Sequence, residues 1–232
     1  MSRMMMIAAA VAVAGVGGWY LTTPSSTSQS ASNDLAAQLV GAANAQSAEA
    51  LDTSTIKEMQ IGDANASVTV IEYASYTCPH CASFHHGNYK QLKADYIDTG
   101  KINFVYREVY FDRPGLWASA VARCAGTDAA FFGINDALYN TQAEWVGPSR
   151  AGDVAGTVDA LRKIGRLAGL DSETLEACLQ DGQKLRTLVA WFEENANEHG
   201  IQSTPSFVIN GKTYRNMSYE DMRGIIDDAA GS

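Results

Sequence analysis

A chain of 232 residues, 46% hydrophobic and 19% charged, has the composition of a globular protein with one sizeable core or at most two small ones. Its formal net charge is −9, and beyond residue 50 sixteen basic residues stand against twenty-four acidic ones. That balance argues against nucleic acid and anionic membrane surfaces as partners of the globular part.

The N-terminus has the form of an export signal, with Arg3 as a short positive end and an uncharged, mostly apolar run from Met4 to Leu21. No small-x-small cleavage site follows promptly, the best candidate being Ala43-Asn44-Ala45. Residues 1–21 are therefore either a cleaved signal peptide or an uncleaved anchor, since the run approaches the length of a membrane span. Both readings place the remainder outside the cytoplasm. From Thr22 to about Ala50 the chain is too rich in Ser, Thr, Ala, Asn and Gln to bury a core, and residues 22–54 are expected to be a flexible linker.

Thr55 to Gln60 suits a short edge strand, and Gly62-Asp63-Ala64-Asn65 a turn before the strand Val68-Thr69-Val70-Ile71-Glu72-Tyr73. Apolar on both faces except at Glu72, that strand belongs in the centre of a sheet with a parallel neighbour. Cys78-Pro79-His80-Cys81 follows directly. Pro79 favours the first helical position, where its missing N–H is not needed. Cys78 then caps the helix, its sulfur facing unpaired backbone N–H groups and the positive end of the helix dipole, both of which stabilise thiolate over thiol. Cys81, one turn in, is more buried. The helix is expected to run to about Asp98, closed by Gly100, with Phe84, Tyr89, Leu92 and Tyr96 at helical spacing. A strand from Ile102 to about Tyr110 completes a right-handed βαβ unit with parallel strands.

Between Pro114 and Gly200 there are helical patterns and no convincing strand. Trp117, Val121 and Cys124 share one face; Val154, Val158, Leu161 and Ile164 mark a helix ending near Gly169. Ser172 caps the next, and Leu185, Leu188, Val189 and Phe192 mark a long one closing at Gly200. The sheet resumes at Ser206-Phe207-Val208-Ile209, turns through Asn210-Gly211 and returns antiparallel along Lys212-Thr213-Tyr214. Ser218 and Asp221 cap a terminal helix that carries Met222, Ile225 and Ile226 toward the core. The order is β, β, α, β, helical insert, β, β, α, an α/β domain over residues 55–232 with an insert over about 114–200.

A C-x-x-C pair at a strand-to-helix junction suits thiol–disulfide exchange, which needs one exposed thiolate and a partner close enough to resolve a mixed disulfide. One rival is a purely structural short bridge. Another is zinc, because Cys78, Cys81 and His85 fall at i, i+3 and i+7 with His86 or His80 nearby as a fourth ligand; structural zinc sites usually take ligand pairs from two separate segments, and here there is one cluster. His85 and His86 are expected at the helix surface and core edge. His80 favours the Cys78 thiolate by donating from its ring or by carrying positive charge. A cis Thr204-Pro205 bond would offer the Thr204 backbone to an extended peptide, although trans is the commoner isomer. Glu72 is either a satisfied core-edge carboxylate or a proton acceptor for Cys81. Cys78 and Cys81 close a short loop, which leaves Cys124 and Cys178 to pair if the fold brings their Cα atoms within about 7 Å. Such a bridge spans about 55 residues and is worth roughly 4 kcal/mol on a chain-entropy estimate.

From about Thr55 to Ala230 the sequence resembles the DsbA family of thioredoxin-fold thiol:disulfide oxidoreductases. The resemblance rests on Val70-Ile71-Glu72-Tyr73 leading into Cys78-Pro79-His80-Cys81, on the helical insert, and on Ser203-Thr204-Pro205-Ser206-Phe207-Val208-Ile209-Asn210-Gly211. It implies a thioredoxin fold, a central mixed sheet flanked by helices, with an inserted all-helical subdomain. It further implies Cys78 as nucleophile, Cys81 as resolving cysteine, Pro205 as a cis-proline and Glu72 as a buried acid beneath the site. No metal or organic cofactor is needed; the substrates would be reduced exported polypeptides in the periplasm, and a membrane partner of the DsbB type would be the reoxidant. The Cys124 and Cys178 pair resembles a subgroup with an extra bridge in the helical layer. No dimerisation segment is visible, so a monomer is expected, with residues 4–21 as its tether if they remain attached. Two positions depart from the best-known members: His85 stands where an acidic residue often does, and Thr204 rather than Val precedes the proline. Threonine there also occurs in isomerase-type relatives, so isomerase or reductase activity stays open beside oxidation. A zinc- or peptide-binding module without turnover is the alternative of a different class.

Overall fold

A strand with apolar residues on both faces needs cover on both, and β2 (Val68–Ala74) has it in the middle of a five-stranded sheet. The computed structural model describes residues 51–231; the signal or anchor expected over residues 1–21 and the linker up to residue 50 lie outside the described residues. On one side β2 pairs in parallel with β3 (Ile102–Glu108), and on the other it pairs antiparallel with β4 (Ser206–Ile209). At the edges, β1 (Met59–Gly62) runs antiparallel to β3 and β5 (Lys212–Arg215) antiparallel to β4, giving the order β1-β3-β2-β4-β5. The expected central strand, parallel partner and hairpin are all present. The hairpin turns through Asn210 and Gly211 at φ 43° and 81°, and the Asn210 side chain accepts from Thr69 N–H at 2.9 Å, which ties the turn to the start of β2.

The edge strand starts later than Thr55 because Thr53–Thr55 form a 3-10 turn, with the Asp52 carboxylate accepting from Ser54 N–H. β1 closes at Gly62 with φ 98°, where a Cβ would collide with the Ile102 carbonyl, so no other residue fits without moving β3.

The single helix expected from Cys78 to Asp98 is three pieces. They are α1 (Pro79–His86), α2 (Asn88–Leu92) and a π-helical turn (Lys93–Ile97). The break falls at Gly87 (φ −121°, ψ −89°), whose N–H is shared between the Ser83 and Phe84 carbonyls. Phe84, Tyr89, Leu92 and Tyr96 are nonetheless all buried, so their spacing reported a packing face and not an unbroken helix.

Six helices separate β3 from β4: α3 (Arg113–Arg123), α4 (Asp128–Asn140), α5 (Gln142–Arg150), α6 (Val154–Leu167), α7 (Ser172–Gln180) and α8 (Gly182–Glu198). Asp112, Thr127, Asp153, Asp171 and Asp181 cap five of them by accepting first-turn N–H bonds. The cap of α7 is thus Asp171, one residue before the expected Ser172. On α6, Val154 is exposed; the buried face is Thr157, Leu161 and Ile164. The chain ends in α9 (Tyr219–Gly231), where Ser218 Oγ accepts from Asp221 N–H and donates to its carboxylate. Cys124, at the end of α3, is bridged to Cys178 on α7 with Cα atoms 5.9 Å apart.

The insert is fastened to the sheet by a buried ion pair. Arg123 on α3 donates from Nε and Nη2 to the two oxygens of Glu108 on β3, each at 2.6 Å, and from Nη1 to the Lys57 carbonyl at 2.8 Å. Ser119 Oγ donates to the same carboxylate, and the guanidinium lies over the Trp191 ring of α8 at 5.2 Å. Removing one partner strands a charge without water. Arg123→Ala is therefore expected to lower the unfolding free energy by about 3–5 kcal/mol in urea titrations, and adding Glu108→Gln to recover part of that loss.

Candidate active site

The site is built where β2 hands the chain to α1. Past Ala74 the chain turns tightly, with Cys78 N–H donating to the Ser75 carbonyl at 3.1 Å. Cys78 keeps extended angles (φ −78°, ψ 121°) and so occupies the cap position, and Pro79 opens the helix as the motif predicts. Cys78 is half-buried and Cys81 is fully buried; both are unbridged thiols. Two side chains of the insert hold this turn. The Gln142 amide donates to the Tyr76 and Cys78 carbonyls at 2.8 and 2.9 Å. The Thr77 hydroxyl donates to Asp112 Oδ2 at 2.8 Å, while Asp112 Oδ1 caps α3 by accepting from Gly115 N–H. Facing the cysteine is the loop before β4, in which the Thr204-Pro205 bond is cis and the Thr204 carbonyl oxygen lies 3.6 Å from Cys78 Sγ.

The two sulfurs occupy opposite environments. The Cys78 thiol is lowered from its ordinary 9.0 to about 5, first by the hydrogen bond the Cys81 thiol donates to it, against the opposing effect of burial, and then by the Thr204 hydroxyl and the backbone N–H groups of Cys81 and His80. A protonated Cys78 donates to the Thr204 carbonyl at 3.6 Å, one bond against the several donors that favour the thiolate. Burial pushes the Cys81 thiol far above the usual range, and its bond to Cys78 and the Glu72 charge act in the same direction. The result is a half-buried sulfur that favours the thiolate beside a buried one that favours the thiol.

His80 is exposed, and its backbone N–H acts on Cys78. Glu72 is fully buried and accepts from His85 Nε2 at 3.0 and 3.2 Å. His85 is therefore not at the surface or core edge: its ring stacks on Tyr139 with centroids 4.0 Å apart. It lies one turn beyond Cys81 on the buried face of α1, an i, i+4 relation that the sequence carried. His86 instead turns its Nε2 to the Tyr139 carbonyl at 3.1 Å. His85 and His86 thus turn to other partners than the two sulfurs, and among the described residues no group of three or more His, Cys, Asp or Glu is placed to hold a metal ion. Gln142 and Asp112 were missed by sequence reasoning, because their partners lie 64 to 66 and 35 residues away.

A dithiol at a helix N-terminus, opposite a cis-proline loop at the heart of a mixed five-stranded sheet, defines a thioredoxin-fold dithiol protein. Residues 54–228 match the thioredoxin family model, and the chain belongs to the thioredoxin family, as a DsbA-like member. It is similar to the Rickettsia bellii protein named "Putative protein-disulfide oxidoreductase", with 34% identity over 74% of this chain and 64% of that one. It spans less than two thirds of the length of the five Rickettsia relatives it matches. "Disulfide bond formation protein D" of Bacillus subtilis is 26% identical over 72% of this chain and 74% of its own length. Among solved structures, Wolbachia pipientis alpha-DsbA1 superposes with a TM-score of 0.68 at 26% identity, over 75% of this chain and 92% of that one.

The lowered Cys78 thiol has a pH signature. In the reduced protein its thiolate absorbance is expected to titrate near 5. A folded value below the unfolded one stabilises the reduced protein fully above the unfolded thiol range, and that contribution is lost as pH falls through about 5. Reduced protein should therefore lose thermal stability relative to oxidised protein as pH is lowered from 9 toward 5, the 9 and 5 being the two ends of that shift.

Proposed function

We propose that the chain is a protein-disulfide oxidoreductase that introduces disulfides into exported polypeptides. A substrate thiolate attacks Cys78 Sγ of the oxidised Cys78–Cys81 pair; the new bond joins substrate sulfur to Cys78, and the electron pair of the broken bond stays on Cys81. A second substrate thiolate attacks the mixed disulfide at the substrate sulfur. Its own bond closes the product disulfide, and Cys78 leaves as a thiolate, so two electrons pass from the substrate to the enzyme dithiol. The observation that carries this reading is the stabilised Cys78 thiolate, because a stable thiolate is both a good leaving group and a reason for the disulfide to be the higher-energy form.

Supporting roles follow from position. Pro79 opens the helix directly after Cys78, the His80 and Cys81 N–H groups favour its thiolate, and Thr204 with Pro205 presents backbone beside that sulfur to an extended peptide. Two electrons must then leave the dithiol, and a membrane reoxidant of the DsbB type, reached from the periplasm, is the partner this reading requires. The linker expected over residues 22–54 ends before the 3-10 turn Thr53–Thr55, which belongs to the folded part, and residues 4–21, if retained, serve as a tether. The chain acts as a monomer without metal or organic cofactor.

Cys78→Ser is expected to abolish loss of free thiols in a reduced test polypeptide, and undiminished activity in that variant contradicts the proposal. Cys81→Ser leaves Cys78 without its partner. Mixed with a disulfide-containing polypeptide, its Cys78 thiolate is expected to attack that disulfide, release one polypeptide thiolate and accumulate as a mixed disulfide that a small thiol releases and mass spectrometry detects.

A further inference from the structure

The helical insert leaves a hollow beside the reacting sulfur. On α5, Gln142, Val146, Ser149 and Arg150 stand at i, i+4, i+7 and i+8, which is one face of the helix. Gln142 holds the Cys78 carbonyl, and the other three wall a cavity of about 190 Å³ whose opposite side is Thr77, Asp112 and Pro114. Thr77 directly precedes Cys78, and Asp112 and Arg150 are exposed, so the cavity reaches the surface next to the residue that a substrate must approach. From Gln142 to Arg150 the helix rises about 12 Å, which an extended polypeptide covers in about four residues.

The two charges of the cavity are unequally engaged. Asp112 uses both carboxylate oxygens, accepting from the Thr77 hydroxyl and from Gly115 N–H, each at 2.8 Å, and it stands at the N-terminus of α3, where the helix dipole offsets a negative charge. Arg150, in the last turn of α5, has no hydrogen-bond or ion-pair partner for its guanidinium among the described residues. Buried Val146 and half-buried Pro114 give the cavity an apolar side. An apolar wall with an unpaired cation at the rim suits a side chain that has a short methylene stem and a carboxylate at its tip.

We propose that this cavity is a substrate subsite, in which Arg150 receives an acidic side chain about four residues from the substrate cysteine that attacks Cys78. The proposal rests on the exchange reaction and adds to it a preference among the cysteines of a polypeptide. Arg150 touches no reacting atom; pairing with it selects which thiol is held beside Cys78, and a lysine at the same place in the substrate is disfavoured by the same guanidinium. The chain as a whole, at a net charge of −9, repels acidic polypeptides at long range. At physiological salt that field is screened within about 8 Å, so contact with Arg150 decides the preference.

The test is rapid-quench reduction of the oxidised full chain by dithiol peptides, read by thiol alkylation. Two peptide pairs are used, one with Glu or Lys four residues before its first cysteine and one with Glu or Lys four residues after its second. The readout is the Glu-to-Lys ratio of rate constants in each protein; the charge's effect on the peptide's own thiol is common to all proteins and cancels between them. In one pair at least, the ratio is expected to fall roughly fivefold from wild type to Arg150→Gln, the size of one exposed ion pair, and further in Arg150→Glu. Lys101→Gln removes the same charge at the far end of the sheet, before Ile102, which pairs with the start of β2, and is expected to keep the wild-type ratio. Equal ratios in wild type and both Arg150 variants, for both peptide pairs, overturn the subsite, and so does an equal fall in Lys101→Gln. A wild type that none of the peptides reduces overturns the exchange reading instead.

Discussion

Two sulfurs one helical turn apart are held in opposite surroundings, and the rest of the molecule depends on that difference. At the cap of α1, Cys78 collects donors: the Cys81 thiol, the Thr204 hydroxyl and two backbone N–H groups. Cys81, inside the first turn, collects low-dielectric surroundings and a nearby carboxylate. The same short segment therefore stabilises negative charge at one end and excludes it at the other. A dithiol so placed keeps a single proton on the inner sulfur and a charge on the outer one, which makes the hydrogen bond between them an internal brace of the reduced form.

Holding that difference requires the junction between β2 and α1 to stay where it is, and the fold fixes it from three directions. Behind it, β2 is locked between β3 and β4. In front, the cis Thr204-Pro205 loop begins a strand whose turn residue Asn210 is bonded back to the start of β2. From the side, the helical insert reaches in with Gln142 and Asp112, so the insert is part of the site and not an appendage to it. Its own attachment is the Arg123–Glu108 fork, with the Cys124–Cys178 bridge joining α3 to α7.

What could be read from sequence was what is local. The C-P-H-C motif, the central strand and the Asn210-Gly211 turn each owe their structure to neighbours in the chain, and each is found where it was expected. Aromatic spacing beyond Cys81 correctly gave the buried face but concealed the break at Gly87, because a packing face can continue across a kink. Val154 sits in the first turn of α6, where periodicity alone assigns a face without knowing what covers it. The Glu72–His85 pair joins a strand to the following helix, and only the crossing of α1 over β2 brings the two together. Gln142 and Asp112 carry no local mark at all, since their role comes from tertiary approach.

The central claim is that thiolate stabilisation at Cys78 makes the Cys78–Cys81 disulfide a strong oxidant. Equilibration of the protein with defined ratios of reduced and oxidised glutathione, read by thiol trapping, gives its reduction potential. The account predicts a value well to the oxidising side of thioredoxin; a value near the thioredoxin value of about −270 mV would contradict it.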